Sequence, residues 1–380
     1  MTKEISDSGF PKFPSLGGAR GGRIIIAGGG TGGHIFPAIA IANALKKIDS
    51  SIEILFVGAK GKMEMERVPQ AGYQIHGLDI AGFNRSSLIK NISLPFKLVK
   101  SFLQVRTIVK NFRPDAIIGV GGYSSFPVLR FGQAKGIPTF IHESNSFAGK
   151  SNILLSKKAT RVFVATDGME KFFPKEKIVV TGNPVRTSIS QSAISRSEAI
   201  QFFGLNESKR TVFAVGGSLG ARSINQAIAT HLSELLNAGL QLIWQTGKSS
   251  REFAATAEGK SSVWVNEFIT EMEKAYAAAD IVVSRAGAMA IAELCVVKKP
   301  VLFVPYPFAA EDHQTANARN LVNRNAALMV KDSEAIHKLV PMVIELAGDE
   351  QKQNELRQNI GILAITDADQ RIAEEILRLT

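Results

Sequence analysis

The chain has 380 residues, of which 45% are hydrophobic and 21% charged, with one cysteine and a formal net charge of +11. That length exceeds one ordinary core and predicts two domains of about 150 to 200 residues. No stretch reaches the roughly 18 apolar residues of a membrane helix, and Cys295 alone excludes an internal disulfide framework and suits a reducing cytoplasm.

Residues 1–190 carry 26 basic against 12 acidic side chains, the remainder 19 against 22. So basic a first half calls for an anionic partner, nucleic acid or acidic membrane. Residues 1–22, rich in Gly, Ser and Pro and lacking an apolar h-region, read as a flexible tail and not as a signal peptide. From residue 23 the runs RIIIAGG, SIEILFVGA, DAIIGVGG, PTFIHE, RVFVAT and IVVTGNP alternate with helical patterns, the sequence form of a parallel doubly wound sheet. A helix-like stretch at 187–209 intervenes, and the pattern restarts with TVFAVGGSLGAR, LQLIWQTG, SVWVNEF, IVVSRAGA and VLFVPYP. The predicted fold class is therefore α/β, with two Rossmann-like domains. Each begins with a strand, a Gly-rich turn (Gly28 to Gly33, Gly216 to Gly220) and a helix. Ligands of such sheets bind beyond the carboxyl ends of the strands, where these motifs fall.

The stretch GGGTGGH, residues 28–34, satisfies G-x-G-x-x-G through Gly28, Gly30 and Gly33. A dinucleotide site also wants an acid at the end of the second strand. That strand ends at Val57-Gly58-Ala59, and Glu53 lies inside it, so nicotinamide or flavin chemistry loses ground. What remains general is that glycines bring backbone amides close to an anion at a helix N-terminus. His34 is the first side chain of the motif able to move a proton. A helix start lowers its pKa and favours the neutral imidazole of a general base; a capping or packing role stays open.

Residues 90–113, KNISLPFKLVKSFLQVRTIVKNFR, mix Leu94, Phe96, Leu98, Phe102, Leu103 and Val105 with Lys97, Lys100, Arg106 and Lys110. Basic residues beside an apolar surface suit anionic lipid, at about 1 kcal/mol per charge, while part of the apolar face packs on the sheet. No aromatic-interleaved basic motif is present, which disfavours nucleic acid.

Seven motifs in order, GGGTGGHIFPAIAIA (28–42), GVGGYSSFP (119–127), HESN (142–145), GNPVR (182–186), GGSLGAR (216–222), SRAGAMAIAEL (284–294) and EDHQTANA (311–318), closely resemble the MurG family. This is the bacterial UDP-N-acetylglucosamine transferase that converts lipid I to lipid II in peptidoglycan synthesis. The resemblance implies a GT-B fold, inversion at the anomeric carbon, and no metal or cofactor. It implies an acceptor and membrane-facing domain at 23–186, a UDP-sugar domain at 187–365, and a last helix, 366–380, returning to the first domain. It further implies docking on an anionic membrane surface at the cytoplasmic face of the inner membrane, with other cell-wall synthesis proteins as partners.

Carried onto this sequence, the resemblance puts Arg186 and Ser218 on the donor diphosphate and Glu293 on the ribose. Ala288, Met289 and Ile269 would lie around the uracil, and Gln314, Asn317 and Asn145 on N-acetylglucosamine, with Thr31, Gly32 and Gly33 also counted to the donor. His34 is the first candidate base, His142 and Glu143 the alternatives. Gly29 and Gly30, with Gly121, Gly122, Tyr123 and Ser124, are expected to cradle the acceptor diphosphate; Leu94, Phe96, Lys97, Lys100, Phe102 and Arg106 are expected to meet the membrane. Leu219 and Ala290 depart from the family, each removing a hydrogen bond near the nucleotide. Rival readings are another GT-B glycolipid glycosyltransferase and a non-catalytic membrane adaptor, the latter disfavoured by His34, Asn145, Glu293 and Gln314.

Overall fold

The computed structural model describes residues 22–81, 94–217, 219–309 and 312–380. The first sheet is built from β1 (Arg23–Ala27), β2 (Glu53–Ala59), β3 (Gln74–Leu78), β4 (Ala116–Gly119), β5 (Thr139–Glu143), β6 (Arg161–Val164) and β7 (Ile178–Val180). Its order is β3-β2-β1-β4-β5-β6-β7, and every pairing is parallel. Helices α1 (Gly32–Ile48), α2 (Glu64–Gln70), α3 (Leu94–Phe112), α4 (Ser125–Ala134) and α5 (Lys150–Ser156) connect the strands. The β-branched runs are strands because both faces are covered: Ile24 and Ile26 pack toward α1, Ile25 and Ala27 toward α3 and α4.

After the short helices α6 (Thr187–Ser190) and α7 (Arg196–Phe202) the second sheet begins with β8 (Thr211–Val215), α8 (Arg222–Asn237), β9 (Gln241–Gln245) and β10 (Val263–Asn266). It continues with α9 (Met272–Ala278), β11 (Ile281–Ser284), α10 (Ala288–Val297), β12 (Val301–Phe303), α11 (His313–Val322) and β13 (Leu328–Met329). Its order is β10-β9-β8-β11-β12-β13, again all parallel. Three helices close the chain: α12 (Ala335–Gly348), α13 (Glu350–Ile362) and α14 (Ala368–Arg378). The last packs on α1, with Ile372, Ala373 and Ile376 in the core of the first sheet and Glu375 paired to Arg161.

Two strands escape the sequence pattern. The edge strand β3 is only half covered, and β13 has two residues, too short for any periodicity to register. In both sheets the order reverses beside the first strand, between β1 and β4 and between β8 and β11. At such a switch point the connections diverge to opposite faces and open a crevice. The loops at Gly28 and Gly121 flank the first crevice; those at Gly216 and Arg285 flank the second. Among the described residues no helix is long and apolar enough to cross a membrane.

Candidate active site

The first crevice is made of two loops in direct backbone contact. Gly29 donates its N–H to Gly121 O at 3.2 Å. His34, in the first turn of α1, lies against them. Its Nδ1 is 3.0 Å from Gly29 O, so Nδ1 carries the proton and Nε2 keeps its lone pair. Gly121 has φ +100°, and a Cβ there would stand 2.7 Å from His34 Nε2 and Cδ2; only glycine lets this loop lie flush against the imidazole. Burial is the main cause holding the His34 pKa below its ordinary value, opposed by the Gly29 bond and the charges of Glu143 and Glu64 and reinforced by His313. The direction is the expected one, with burial as its main cause in place of the helix terminus.

Arg186 and Glu293 form the second cluster. The guanidinium bonds to Glu293 Oε1 through Nε at 3.0 Å and Nη2 at 2.8 Å, and Tyr276 donates to Oε2 at 3.0 Å. Arg186 also covers the Phe36 ring of α1, at 4.9 Å, and so joins the two domains. The residues expected on diphosphate and ribose are thus bonded to each other, with one acceptor position left, on Glu293 Oε2. Ala288, beginning α10, accepts from Asn183 Nδ2 at 3.5 Å; Met289 follows it, half-buried. Gln314 accepts from Tyr306 N at 3.0 Å. Ser218 lies outside the described residues. Leu219 is exposed and Ala290 half-buried.

Two family models match consecutive stretches: the glycosyltransferase family 28 N-terminal domain over residues 24–164, and the family 28 C-terminal domain over 211–374. A protein of Phocaeicola vulgatus, 53% identical over 361 residues (94% of this chain, 96% of that one), is named UDP-N-acetylglucosamine--N-acetylmuramyl-(pentapeptide) pyrophosphoryl-undecaprenol N-acetylglucosamine transferase. One of Porphyromonas gingivalis with the same name is 50% identical, over 94% of this chain and 95% of that one. The crystal structure of Acinetobacter baumannii MurG matches with a TM-score of 0.76 at 28% identity, covering 94% of this chain and 99% of that chain.

The chain belongs to the MurG family. Its two-domain GT-B fold agrees with the expectation from sequence.

Several residues expected at the site are engaged by the protein itself in this structure. Gly29 and Gly30 do not offer their amides to a diphosphate: the first is bonded to Gly121 O, the second to Glu64 Oε2 at 2.7 Å. Glu64 is buried directly beneath the loop, and sequence reasoning missed it. Tyr123 is exposed and Ser124 buried on the adjoining loop with Gly122. Thr31, exposed, is the N-cap of α1 and makes no side-chain cap bond; Gly32 and Gly33 form the first turn.

His142 is 1% exposed inside the sheet, out of reach of any substrate proton. Glu143 is also unsuited to be a base, because it accepts from Asn145 N and Nδ2, Gly149 N and Asn152 Nδ2. Those four bonds fold the loop after β5. Asn317 bridges the domains, accepting from Ser146 N and donating to Ala286 O, each at 3.3 Å, with one acceptor and one donor position left. The Ile269 side chain is in the core, and its N–H donates to Gln245 Oε1 at 2.9 Å. Behind this cleft, Ser144, Asn183, Ala288 and Asn317 line a cavity of about 270 Å³; neither His34 nor Glu293 is among its walls.

On α3 Phe96, Lys97, Lys100 and Arg106 of the expected patch are exposed, and Val99 and Leu103 join them in place of Leu94 and Phe102. Phe96 is 78% exposed, Val99 63% and Leu103 59%, whereas Val105 is buried and Leu94 and Phe102 are partly covered. Residues 96, 99, 103 and 106 follow helical spacing, which puts Arg106 on the same stripe; Lys97 is exposed beside it. Lys100 is paired with an acid. With Lys60 it binds Asp79, at 3.0 and 2.9 Å, and the pair holds the Asp79 carboxyl down to about 2.

Proposed function

We propose that this chain transfers N-acetylglucosamine from UDP-N-acetylglucosamine to the 4-hydroxyl of N-acetylmuramic acid in undecaprenyl-diphosphate-linked muramyl pentapeptide, converting lipid I to lipid II. The relatives' names give the substrates. The observation that carries the mechanism is His34: Nδ1 is engaged by a backbone carbonyl, Nε2 is unprotonated, and the ring sits at the first sheet's switch point. Nε2 takes the proton of the acceptor hydroxyl as its oxygen bonds to the anomeric carbon. The bond from that carbon to the diphosphate breaks on the opposite face, inverting the centre and releasing UDP. A positioned base contributes roughly 10² to 10⁴ in rate.

On the donor side Glu293 accepts from the ribose, Arg186 supplies a fixed cation to the diphosphate, and Ser218 joins it there. Gln314 and Asn145 meet the sugar. The acceptor diphosphate rests on the first turn of α1, at Gly32 and Gly33, and on the Gly121 to Ser124 loop. Phe96, Val99 and Leu103, with Lys97 and Arg106, hold the protein peripherally on the anionic cytoplasmic face of the membrane, beside other enzymes of cell-wall synthesis.

The test is UDP release from UDP-N-acetylglucosamine with and without a lipid I analogue. Release that ignores the analogue, or that is equally fast with another UDP-sugar, defeats the assignment. His34→Ala should lose roughly 10²-fold or more in kcat with donor binding retained; unchanged turnover removes His34 as the base.

A further inference from the structure

The proposed transfer gives no role to Glu64, yet this acid at the start of α2 is 1% exposed. Its Oε2 accepts from Gly30 N at 2.7 Å and its Oε1 from Ala59 N at 3.0 Å. The fit is close, since a Cβ on Gly29 would fall 2.3 to 2.7 Å from the carboxylate atoms. The Gly30 N–H belongs to the same planar peptide unit as the Gly29 carbonyl, and that carbonyl holds His34 Nδ1 at 3.0 Å. One peptide group therefore has a carboxylate on its N–H and an imidazole on its C=O.

We propose that Glu64 is a positioning residue for His34, acting through the Gly29–Gly30 peptide to fix the imidazole as the Nδ1–H tautomer with Nε2 as proton acceptor. The inference rests on the reading of His34 as the base. In many sites a carboxylate bonds directly to the far nitrogen of a working histidine and sets its tautomer and ring orientation; here a peptide is interposed. An amide whose N–H is bonded to a carboxylate is polarised, and its carbonyl becomes a stronger acceptor, because hydrogen bonds in a chain reinforce one another. The anchor also stops the peptide from turning within a run of glycines that imposes little torsional preference of its own. If the peptide turned over, Gly29 O would leave His34, and the proton could move to Nε2, the atom that must be free.

The charges facing His34 are Glu64 from α2, Glu143 and His142 from β5, and His313 from α11. Removing the negative charge of Glu64 takes away one of the two charges that, with the Gly29 bond, favour the imidazolium, so the acid limb of the pH–rate profile moves to lower pH. Glu64→Gln keeps the shape but offers one acceptor oxygen and an NH₂, so it satisfies only one of the Gly30 and Ala59 amides.

The first measurement needs no variant: ¹⁵N spectra of histidine-labelled wild-type protein, with His34 assigned by its absence in His34→Ala. An Nδ1–H tautomer is expected, and an Nε2–H tautomer overturns the proposal. In E64Q the expected results are mixed tautomers, a roughly 10- to 100-fold lower kcat at unchanged donor KM, and the downward shift of the acid limb. Glu64→Asp, which keeps the charge, should retain the wild-type limb. In the H34A background, E64Q should cost little more; a full second loss there means that Glu64 acts elsewhere, and the proposal fails. Should E64Q match wild type in rate, limb and tautomer while H34A is crippled, the relay fails alone. An H34A protein as fast as wild type instead defeats the base reading itself.

Discussion

His142 makes the structure's clearest demand on stability. The ring lies inside β5, neither nitrogen has a well-formed hydrogen bond among the described residues, and burial drives its pKa from 6.5 to about 4. The Gly182 backbone and the Asn183 amide beside it return only part of that cost, and His34 adds to it. The unfolded chain therefore binds this proton near 6.5, the folded chain only near 4. Stability is full above the unfolded value and is lost as pH falls toward the folded one. At about 1.4 kcal/mol per unit, the loss over that interval is roughly 3 kcal/mol, a large share of the ~5–15 kcal/mol of a typical domain. His142→Phe removes the titration and forfeits no hydrogen bond. Urea unfolding of both proteins at a series of pH values reads the effect directly, and the other acid-sensitive groups cancel in the difference. The variant's stability relative to wild type should rise by about 3 kcal/mol from neutral pH to pH ~4. Parallel pH profiles would refute the reasoning, because they would mean that the buried ring gains its proton as easily as an exposed one.

Gly121→Ala would press a methyl group onto His34 from a backbone at φ +100°. Strain of about 1–3 kcal/mol should appear as a roughly 10- to 100-fold drop in kcat with donor KM unchanged; wild-type kcat would mean the imidazole is not held where the structure has it. Glu293→Gln removes the charge paired with Arg186 at 2.8 Å. Calorimetric titration with UDP should show binding weaker by about 1.5–3 kcal/mol, and equal affinity would take Glu293 out of the donor site. Replacing Phe96, Val99 and Leu103 together with Ser should abolish co-sedimentation with anionic vesicles and leave turnover of a water-soluble acceptor analogue intact. Vesicle binding as strong as wild type would move the membrane contact off α3.

The two sheets were legible because their strands are short β-branched runs covered on both faces, each ending at a turn signal. The crevices were legible for the same reason: a strand end, a glycine cluster and a helix start are contiguous in sequence. Glu64 was not. It lies 34 residues from Gly30 within GKMEMER, which reads as a solvated helix start, and only the pairing of β1 with β2 brings it under the glycines. Ser146 and Asn317 meet across 171 residues, which local spacing cannot encode. His34 and His142 both sit in polar motifs at strand ends. What separates a usable base from an interior ring is burial, and burial of a β5 side chain depends on neighbours the local motif does not contain.

The two Gly-rich turns look alike in sequence, yet the structure makes them electrostatically different. Beneath the second, Gly217 O accepts from the neutral amide of Gln245 at 3.0 Å; beneath the first lies a carboxylate. A phosphate charge about 4 Å from that carboxylate would be repelled by about 4 kcal/mol at an effective dielectric of 20. The helix terminus returns only about 0.3–2 kcal/mol. Repulsion wins at Gly29 and Gly30, whose amides are in any case already bonded. On the proposed reading, a diphosphate on this side stands off toward Gly32, Gly33 and the Gly121 loop, beyond the imidazole. The carboxylate that excludes phosphate from the first three glycines also holds the peptide against His34. On the proposed mechanism, GGGTGGH is then the seat of the base, with anion binding displaced to its downstream edge.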